Sequence, residues 1–251
     1  MREGGGAVRF VDHHLAHAAA AHFGSPFPFD GPSLILTCDG TGDGLSATVS
    51  VGRGASIDRI AATGRDASLG KLYSRVTLAL SLTPWKHEYK VMGLAPSAEE
   101  RYAEEVRDIL RELVVLGEDG LKFALAGALE SSYTYEFLRE RFERERFERK
   151  RFDAISGGVQ LYTEELLTDW VRERVAHTGI RRVVCGGGVF MNVKANLRIS
   201  QLDCVDEWFA FPSCGDESLS LGAVGIREPN RCTRGAQYFV QPARLSSRLQ
   251  S

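Results

Sequence analysis

Three histidines fall within five residues in the segment Asp12-His13-His14-Leu15-Ala16-His17-Ala18. The alanine-rich run from Leu15 to His22 has high helix propensity. On a helix, His13 and His17 stand at i and i+4 and project from one face. Two neutral imidazoles so placed can bind one divalent metal and leave coordination positions open for a substrate. The same spacing also serves a purely structural pair, so a metal assignment needs a further donor. Asp216 offers one in the segment Pro212-Ser213-Cys214-Gly215-Asp216-Glu217-Ser218. It stands at an expected helix N-terminus, where it either caps the helix and meets its dipole or completes a two-histidine, one-carboxylate set. That set suits iron(II) or another divalent ion.

Two glycine-rich segments suit anion handling. Asp39-Gly40-Thr41-Gly42-Asp43-Gly44 follows a buried apolar run. Its glycines permit positive φ and close backbone approach, so N–H groups can converge on an oxyanion. Asp39 and Asp43 would then hold a metal-bound phosphate or orient a hydroxyl nucleophile. Asp and Gly are equally the usual residues of a hairpin turn. Val183-Val184-Cys185-Gly186-Gly187-Gly188 runs on to Asn192 as strand, glycine loop and helix start. A nucleotide can lie against such a backbone, with Asn192 free to hydrogen-bond it. The spacing is neither that of a dinucleotide fold nor that of a P-loop. Between Trp85 and Pro96, Lys86 and Lys90 can neutralise phosphate and Glu88 can bind an amine or hydroxyl, or the segment is a solvated loop.

The elements that must position these residues follow from periodicity and punctuation. A short strand is expected at Val8 to Val11 ahead of the histidine helix. Buried strands are expected at Ser33 to Cys38, Leu45 to Val51 and Ile57 to Thr63, separated by Asp/Gly turns. Ser68 reads as the N-cap of a helix over Leu69 to Leu80. Helix is expected from Ala98 to Leu116 and from Tyr135 to Arg151. The run Arg139 to Arg151 holds seven basic and four acidic residues, and its Glu/Arg pairs at i,i+4 favour a solvated helix over an RNA-binding stripe. Val159, Tyr162, Leu166 and Trp170 mark an amphipathic helix ending at Gly179. A strand at Arg182 to Cys185, a helix over Asn192 to Ile199, a strand around Trp208 to Phe211 and a helix over Ser218 to Ile226 complete the pattern. Three antiparallel strands feeding a parallel pair give an α/β fold with a mixed sheet covered by helices. The strand at Val8 to Val11 has no ladder partner of its own and calls for neighbours elsewhere.

Composition sets the outer limits. The chain has 251 residues, 43% hydrophobic and 25% charged, enough for one large domain or two small ones. A net charge of -2 gives no reason to expect a nucleic-acid or membrane surface. Five cysteines without a C-x-x-C pair argue against a disulfide framework or a structural zinc site. Neither a signal peptide nor a membrane-spanning apolar run is present, so a cytoplasmic location is expected.

Six segments together resemble the O-carbamoyltransferase family, which includes the nodulation-factor enzyme and the antibiotic-tailoring carbamoyltransferases. In order they are DHHLAHAAAAHF, LTCDGTGDGLSATVSVG, SLGKLYSRVT, HEYKVMGLAP, VVCGGGVFMNVKAN and PSCGDESLSLGA, spanning residues 12 to 225. The resemblance implies an actin–hexokinase–Hsp70-like fold of two ribonuclease-H-like lobes. Residues 1–30 would end the first lobe, residues 31–228 would form the second with a helical insertion at about 98–155, and 229–251 would be a tail or linker. It implies two stages: carbamoyl phosphate and ATP give carbamoyl adenylate at a YrdC-like domain, and the carbamoyl group then passes to a small hydroxylated acceptor in a metal-containing domain. By that resemblance His13, His17 and Asp216 match the metal ligands, iron(II) foremost. Asp39 matches the catalytic position facing the adenylate, and Gly70, Gly186, Gly187, Gly188 and Asn192 match nucleotide contacts. A full-length member begins with most of the first lobe and ends with the YrdC-like domain, so by the resemblance the 251 residues need a missing-lobe or YrdC-like partner to make carbamoyl adenylate. A nucleotide- or partner-binding actin-like module without turnover, and a threonylcarbamoyl transferase acting on tRNA, are the competing readings.

Overall fold

The computed structural model describes residues 8–126, 147 and 149–227. Helix α1 (His13–Gly24) is followed by three strands, β1 (Ser33–Gly42), β2 (Leu45–Arg53) and β3 (Ser56–Gly64). Helix α2 (Leu69–Ala79) begins where Ser68 Oγ accepts the amide of Lys71, the cap expected from the sequence. Helices α3 (Glu88–Leu94) and α4 (Glu100–Leu110) lead into a two-stranded hairpin, β4 (Val114–Leu116) with β5 (Phe123–Leu125). The long helix α5 (Phe152–Thr178) stops at Gly179, which takes the left-handed conformation (φ 68°) that favours glycine. Then come β6 (Arg182–Gly186), α6 (Val193–Ser200), β7 (Glu207–Ala210) and α7 (Leu219–Arg227).

The main sheet has the order β3-β2-β1-β6-β7. Strands β1 to β3 pair antiparallel, with Leu36 opposite Val49 and Val49 opposite Ala61. Strand β6 joins β1 in parallel with Ile35 opposite Val184, and β7 extends the parallel side. The mixed sheet expected from the sequence is therefore formed, and β1 is its central strand. Leu34, Leu36 and Cys38 face one core with Leu72, Val76, Trp170 and Val171, while Ile35 and Val184 face the other with Ala18 and Ala21 of α1. Alternate residues of a strand point to opposite faces, so β1 is apolar on both sides because helices cover both.

Four expectations are corrected. Val8 to Val11 is not a strand: Val8 and Phe10 stand in solvent, Phe10 at 98% exposure, and no strand among the described residues offers a ladder. Strand β1 continues through Asp39 to Gly42, since Gly42 still pairs with Leu45, so the turn shrinks to Asp43 and Gly44. The helix expected to reach Leu116 ends at Leu110, and Val114–Leu116 pairs with β5 instead. The polar stretch after Trp85 is helical from Glu88 to Leu94 rather than a loop. The helix expected at Tyr135 to Arg151 and the tail at 229–251 lie outside the described residues, apart from Phe147, which is buried in the core, and residues 149–151. No helix among the described residues is long and apolar enough to cross a membrane, and the four described cysteines are unpaired.

Candidate metal centre

Helix α1 is held at its N-terminus by three acidic and basic groups. Asp12 caps it, its Oδ1 accepting the amide of Leu15 at 2.8 Å, and Arg59 of β3 pairs with the same carboxylate. Burial opposes the charge on Asp12, but the bonds from Arg59 and Leu15 keep its carboxyl below the usual range. Asp43, at the β1–β2 turn, accepts the amide of His13 at 2.8 Å. The alanines that made the helix legible are also what let it lie deep in the fold: Ala16, Ala18, Ala19, Ala20 and Ala21 are all buried. Gly222 of α7 meets the backbone carbonyl of Ala16 so closely that no side chain fits there. That contact draws the start of α7, and with it Asp216, toward the histidines.

Four side chains converge at the C-terminal end of β1. His13 Nε2 lies 3.1 Å from Asp39 Oδ2, 3.2 Å from His17 Nε2 and 3.6 Å from Asp216 Oδ1. His17 Nε2 lies 3.3 Å from Asp39 Oδ2 and 3.5 Å from Asp216 Oδ1. All four donor atoms fall within 4.8 Å of one another. His17 is buried, whereas the Asp216 side chain is 71% exposed, so the cluster opens to solvent on the Asp216 side. Burial works against the charge of Asp39; hydrogen bonds from His17, His13 and the Gly40 amide outweigh it and hold its carboxyl well below the usual carboxylate range.

This donor set fits a divalent cation. With metal–ligand bonds of about 2.1 Å, neighbouring donors of a tetrahedral or octahedral shell stand about 3.0–3.4 Å apart, close to the separations among these imidazoles and carboxylates. Two imidazole nitrogens 3.2 Å apart with carboxylates beside them are the ligand types that iron(II), zinc and related ions take. His13, His17 and Asp216 thus come together as expected, although about 200 residues separate the third from the others. Asp39 joins them as a fourth donor. Its Oδ1 accepts the Gly40 amide at 2.7 Å and its Oδ2 faces the histidines.

The glycines anticipated as nucleotide contacts pack against Asp39 and its neighbours. A side chain at Gly70 would strike the Asp39 carbonyl and the Gly40 amide, and one at Gly188 would come 2.9 Å from Asp39 Oδ1. Gly187 has φ 95° and abuts the Cys38 carbonyl, and Gly186 abuts the carbonyl of His17. Close packing within the chain alone is reason enough for glycine at these four positions. Asn192 is likewise engaged. Its Oδ1 accepts from Ala195 N, capping α6, and from Gln160 Nε2 at 3.0 Å, while its Nδ2 donates to Gln160 Oε1 at 2.9 Å. Glu88 accepts from Ser74 Oγ and from the Trp85 amide, so it serves its own helix start, and Lys90 lies over the ring of Tyr89.

Three residues at or beside the centre were not singled out from the sequence. Ser218 Oγ is 3.1 Å from His17 Nδ1. His14, buried beside the ligands, has Nδ1 2.8 Å from Thr37 Oγ1, and burial pushes its pKa down to about 4. Gln160, on α5, pairs with Asn192 and also bonds Tyr73 and Glu164. Ser218 follows Asp216 by two residues, and that spacing was the available signal; the other contacts are long-range and leave no local pattern.

The family model for the carbamoyltransferase N-terminus matches residues 5–225. The nodulation protein NolNO of Sinorhizobium fredii is 30% identical over 217 residues, covering 86% of this chain and 31% of that protein. The nodulation protein NolO of Bradyrhizobium diazoefficiens is 28% identical over 215 residues, covering 85% and 37%. A solved structure of full-length HypF in its phosphate- and nucleotide-bound form superposes with a TM-score of 0.47 at 18% identity, covering 86% of this chain and 42% of that one. The chain spans about a third of the length of the curated relatives it matches. By the family match, it belongs to the carbamoyltransferase N-terminus family.

Proposed function

We propose that this member of the carbamoyltransferase family carries the metal-bearing part of an enzyme that moves a carbamoyl group from carbamoyl adenylate to a hydroxyl of a small acceptor. The observation that carries the reading is the convergence of His13, His17, Asp39 and Asp216 within 4.8 Å at the end of the central strand. Iron(II) is the ion we assign to it, and when bound it supplies Lewis-acid polarisation of a carbonyl oxygen. His13, His17 and Asp216 hold the ion. Oδ1 of Asp39 is held by the Gly40 amide and its Oδ2 would stand beside the ion as a fourth donor, so its role is to hold charge there rather than to remove a proton. The open, Asp216 side of the cluster is where donor and acceptor would meet.

In the transfer, the acceptor oxygen bonds to the carbamoyl carbon, the bond from that carbon to the AMP phosphate oxygen breaks, AMP departs with the electron pair, and the acceptor proton is released. The AMP portion would lie along the backbone near Gly70 and the Gly186–Gly188 turn, beside the N-terminus of α2. We assign the making of carbamoyl adenylate from carbamoyl phosphate and ATP to a YrdC-like domain, in a continuation of this polypeptide or in a partner chain. The antiparallel triplet beside a parallel pair supports assigning residues 31–228 to one ribonuclease-H-like lobe of the actin–hexokinase–Hsp70 type, with residues 1–30 ending the other.

The test is to give the iron(II)-loaded chain carbamoyl adenylate and a panel of small polyhydroxylated acceptors, and to follow AMP release and acceptor carbamoylation. Acceptor-dependent AMP release that is lost in Asp39→Asn supports the reading. A metal-loaded chain that neither binds nor consumes carbamoyl adenylate contradicts it.

A further inference from the structure

His17 turns Nε2 toward the two carboxylates and buries Nδ1 at 3.1 Å from the hydroxyl of Ser218. Both residues are buried. An imidazole that offers the Nε2 lone pair to a cation carries its proton on Nδ1, and that proton needs an acceptor that also fixes the plane of the ring. Ser218 Oγ is placed to be that acceptor. It closes the single 3₁₀ turn that opens with Asp216.

At the other histidine the support reaches the backbone instead of the ring. Strand β1 brings Asp39 into the cluster, and four residues on, the turn brings Asp43, whose Oδ2 accepts the backbone amide of His13 at 2.8 Å. Asp43 has φ 49°, a left-handed conformation that non-glycine residues seldom adopt, although Asp tolerates it better than most. Glycine would relieve the backbone there, as it does at the next residue, Gly44, with φ 79°. What aspartate adds is an acceptor aimed at the first turn of α1.

We propose that Ser218 and Asp43 are positioning residues of the metal centre, so that each carboxylate-bearing segment also carries the group that sets one histidine. Ser218 sets the ring and tautomer of His17, and Asp43 sets the backbone of His13. Neither touches the ion. This rests on the metal reading above and adds to it that the segments bearing Asp39 and Asp216 each support one of the two histidines.

The test uses the full chain stripped of metal and titrated with Co²⁺ against a competing chelator, with the visible absorption of the bound ion and the thermal unfolding of the metal-free protein recorded alongside. Ser218→Ala and Asp43→Ala are expected each to weaken Co²⁺ binding about 10- to 100-fold, as loss of an outer-shell partner does, and to change the absorption spectrum. Asp43→Asn keeps the acceptor and the left-handed turn and is expected to bind close to wild type. Loss of unfolding temperature without loss of Co²⁺ affinity in both alanine variants would overturn the proposal, since it would leave both residues only structural. Asp43→Asn as weak as Asp43→Ala would overturn the role given to Asp43. If Ser218→Ala does not fold, the Asp43 pair still decides. A wild-type chain that binds no Co²⁺ overturns the metal reading itself, and shows it before any substitution is made.

Discussion

The imidazole of His13 lies directly against Gly42, so close that any side chain at position 42 would overlap its Cγ and Cδ2 atoms. The tip of the central hairpin is thus the floor on which one metal-binding ring rests. Gly42→Ala is expected to push His13 off Asp39 and to cost on the order of 1–3 kcal/mol through overpacking. Denaturant unfolding and Co²⁺ titration of the variant measure the two effects. Unchanged values for both would mean that His13 has freedom this packing denies it.

Asn192 and Gln160 exchange two hydrogen bonds through their side-chain amides, and Asn192 also caps α6. Asn192→Ala removes the cap and two of the bonds to Gln160, which keeps Tyr73 and Glu164, for an expected loss of about 1–2 kcal/mol. Asn192→Asp keeps the capping oxygen and loses only the donor, so its loss should be smaller. Urea midpoints rank the three proteins, and equal midpoints for the two variants would contradict the cap.

Gly187 combines φ 95° with contact against the Cys38 carbonyl. Gly187→Val is therefore expected to fail as a folded protein, with loss of the cooperative thermal transition, rather than to lose nucleotide binding selectively. A cooperative transition near that of wild type would show that the loop can move away from β1.

Stability should fall on mild acidification. Burial holds the pKa of His14 near 4 and lowers that of His22, both from an ordinary value of about 6.5. Between those values the unfolded chain binds protons that the folded chain refuses. The contribution is complete above about pH 6.5 and is lost progressively as pH falls toward 4, amounting to on the order of 3 kcal/mol for His14. Asp39 works in the same direction but only below the ordinary carboxylate range. Unfolding of metal-free protein followed from pH 7.5 to 5 checks the slope. His14→Leu should flatten it, and a slope of the opposite sign would contradict the buried, neutral state of both rings.

Much of this fold was legible because its signals are local. Ser68 caps α2, Gly179 ends α5, and the short apolar runs of β1, β2 and β6, bounded by turn residues, mark buried strands. The failures were set by partners distant in sequence. Asp39 to Gly42 has the composition of a turn yet remains strand, because Gly42 pairs again with Leu45 after a register shift beyond Cys38. Val8 to Val11 has the composition of a strand and no strand to pair with among the described residues. At the site, the i, i+4 histidines and the carboxylate at the start of α7 could be singled out from spacing. Asp39 could be singled out for a catalytic role but not as a metal donor, because the direction in which it points depends on how α1 packs against β1. The glycine triplet shows the same limit from the other side: glycine in a loop marks a close approach, and the fold shows that Cys38, His17 and Asp39 themselves make it.

The most direct test of the metal centre is the metal content of purified protein compared across Asp216→Ala, His17→Ala and wild type. The convergence of two elements about 200 residues apart predicts about one divalent ion per wild-type chain, the expectation for a single site of this kind, with both variants losing it to a similar extent. Full metal content in Asp216→Ala alongside loss in His17→Ala would reduce Asp216 to a helix cap and contradict the site as described.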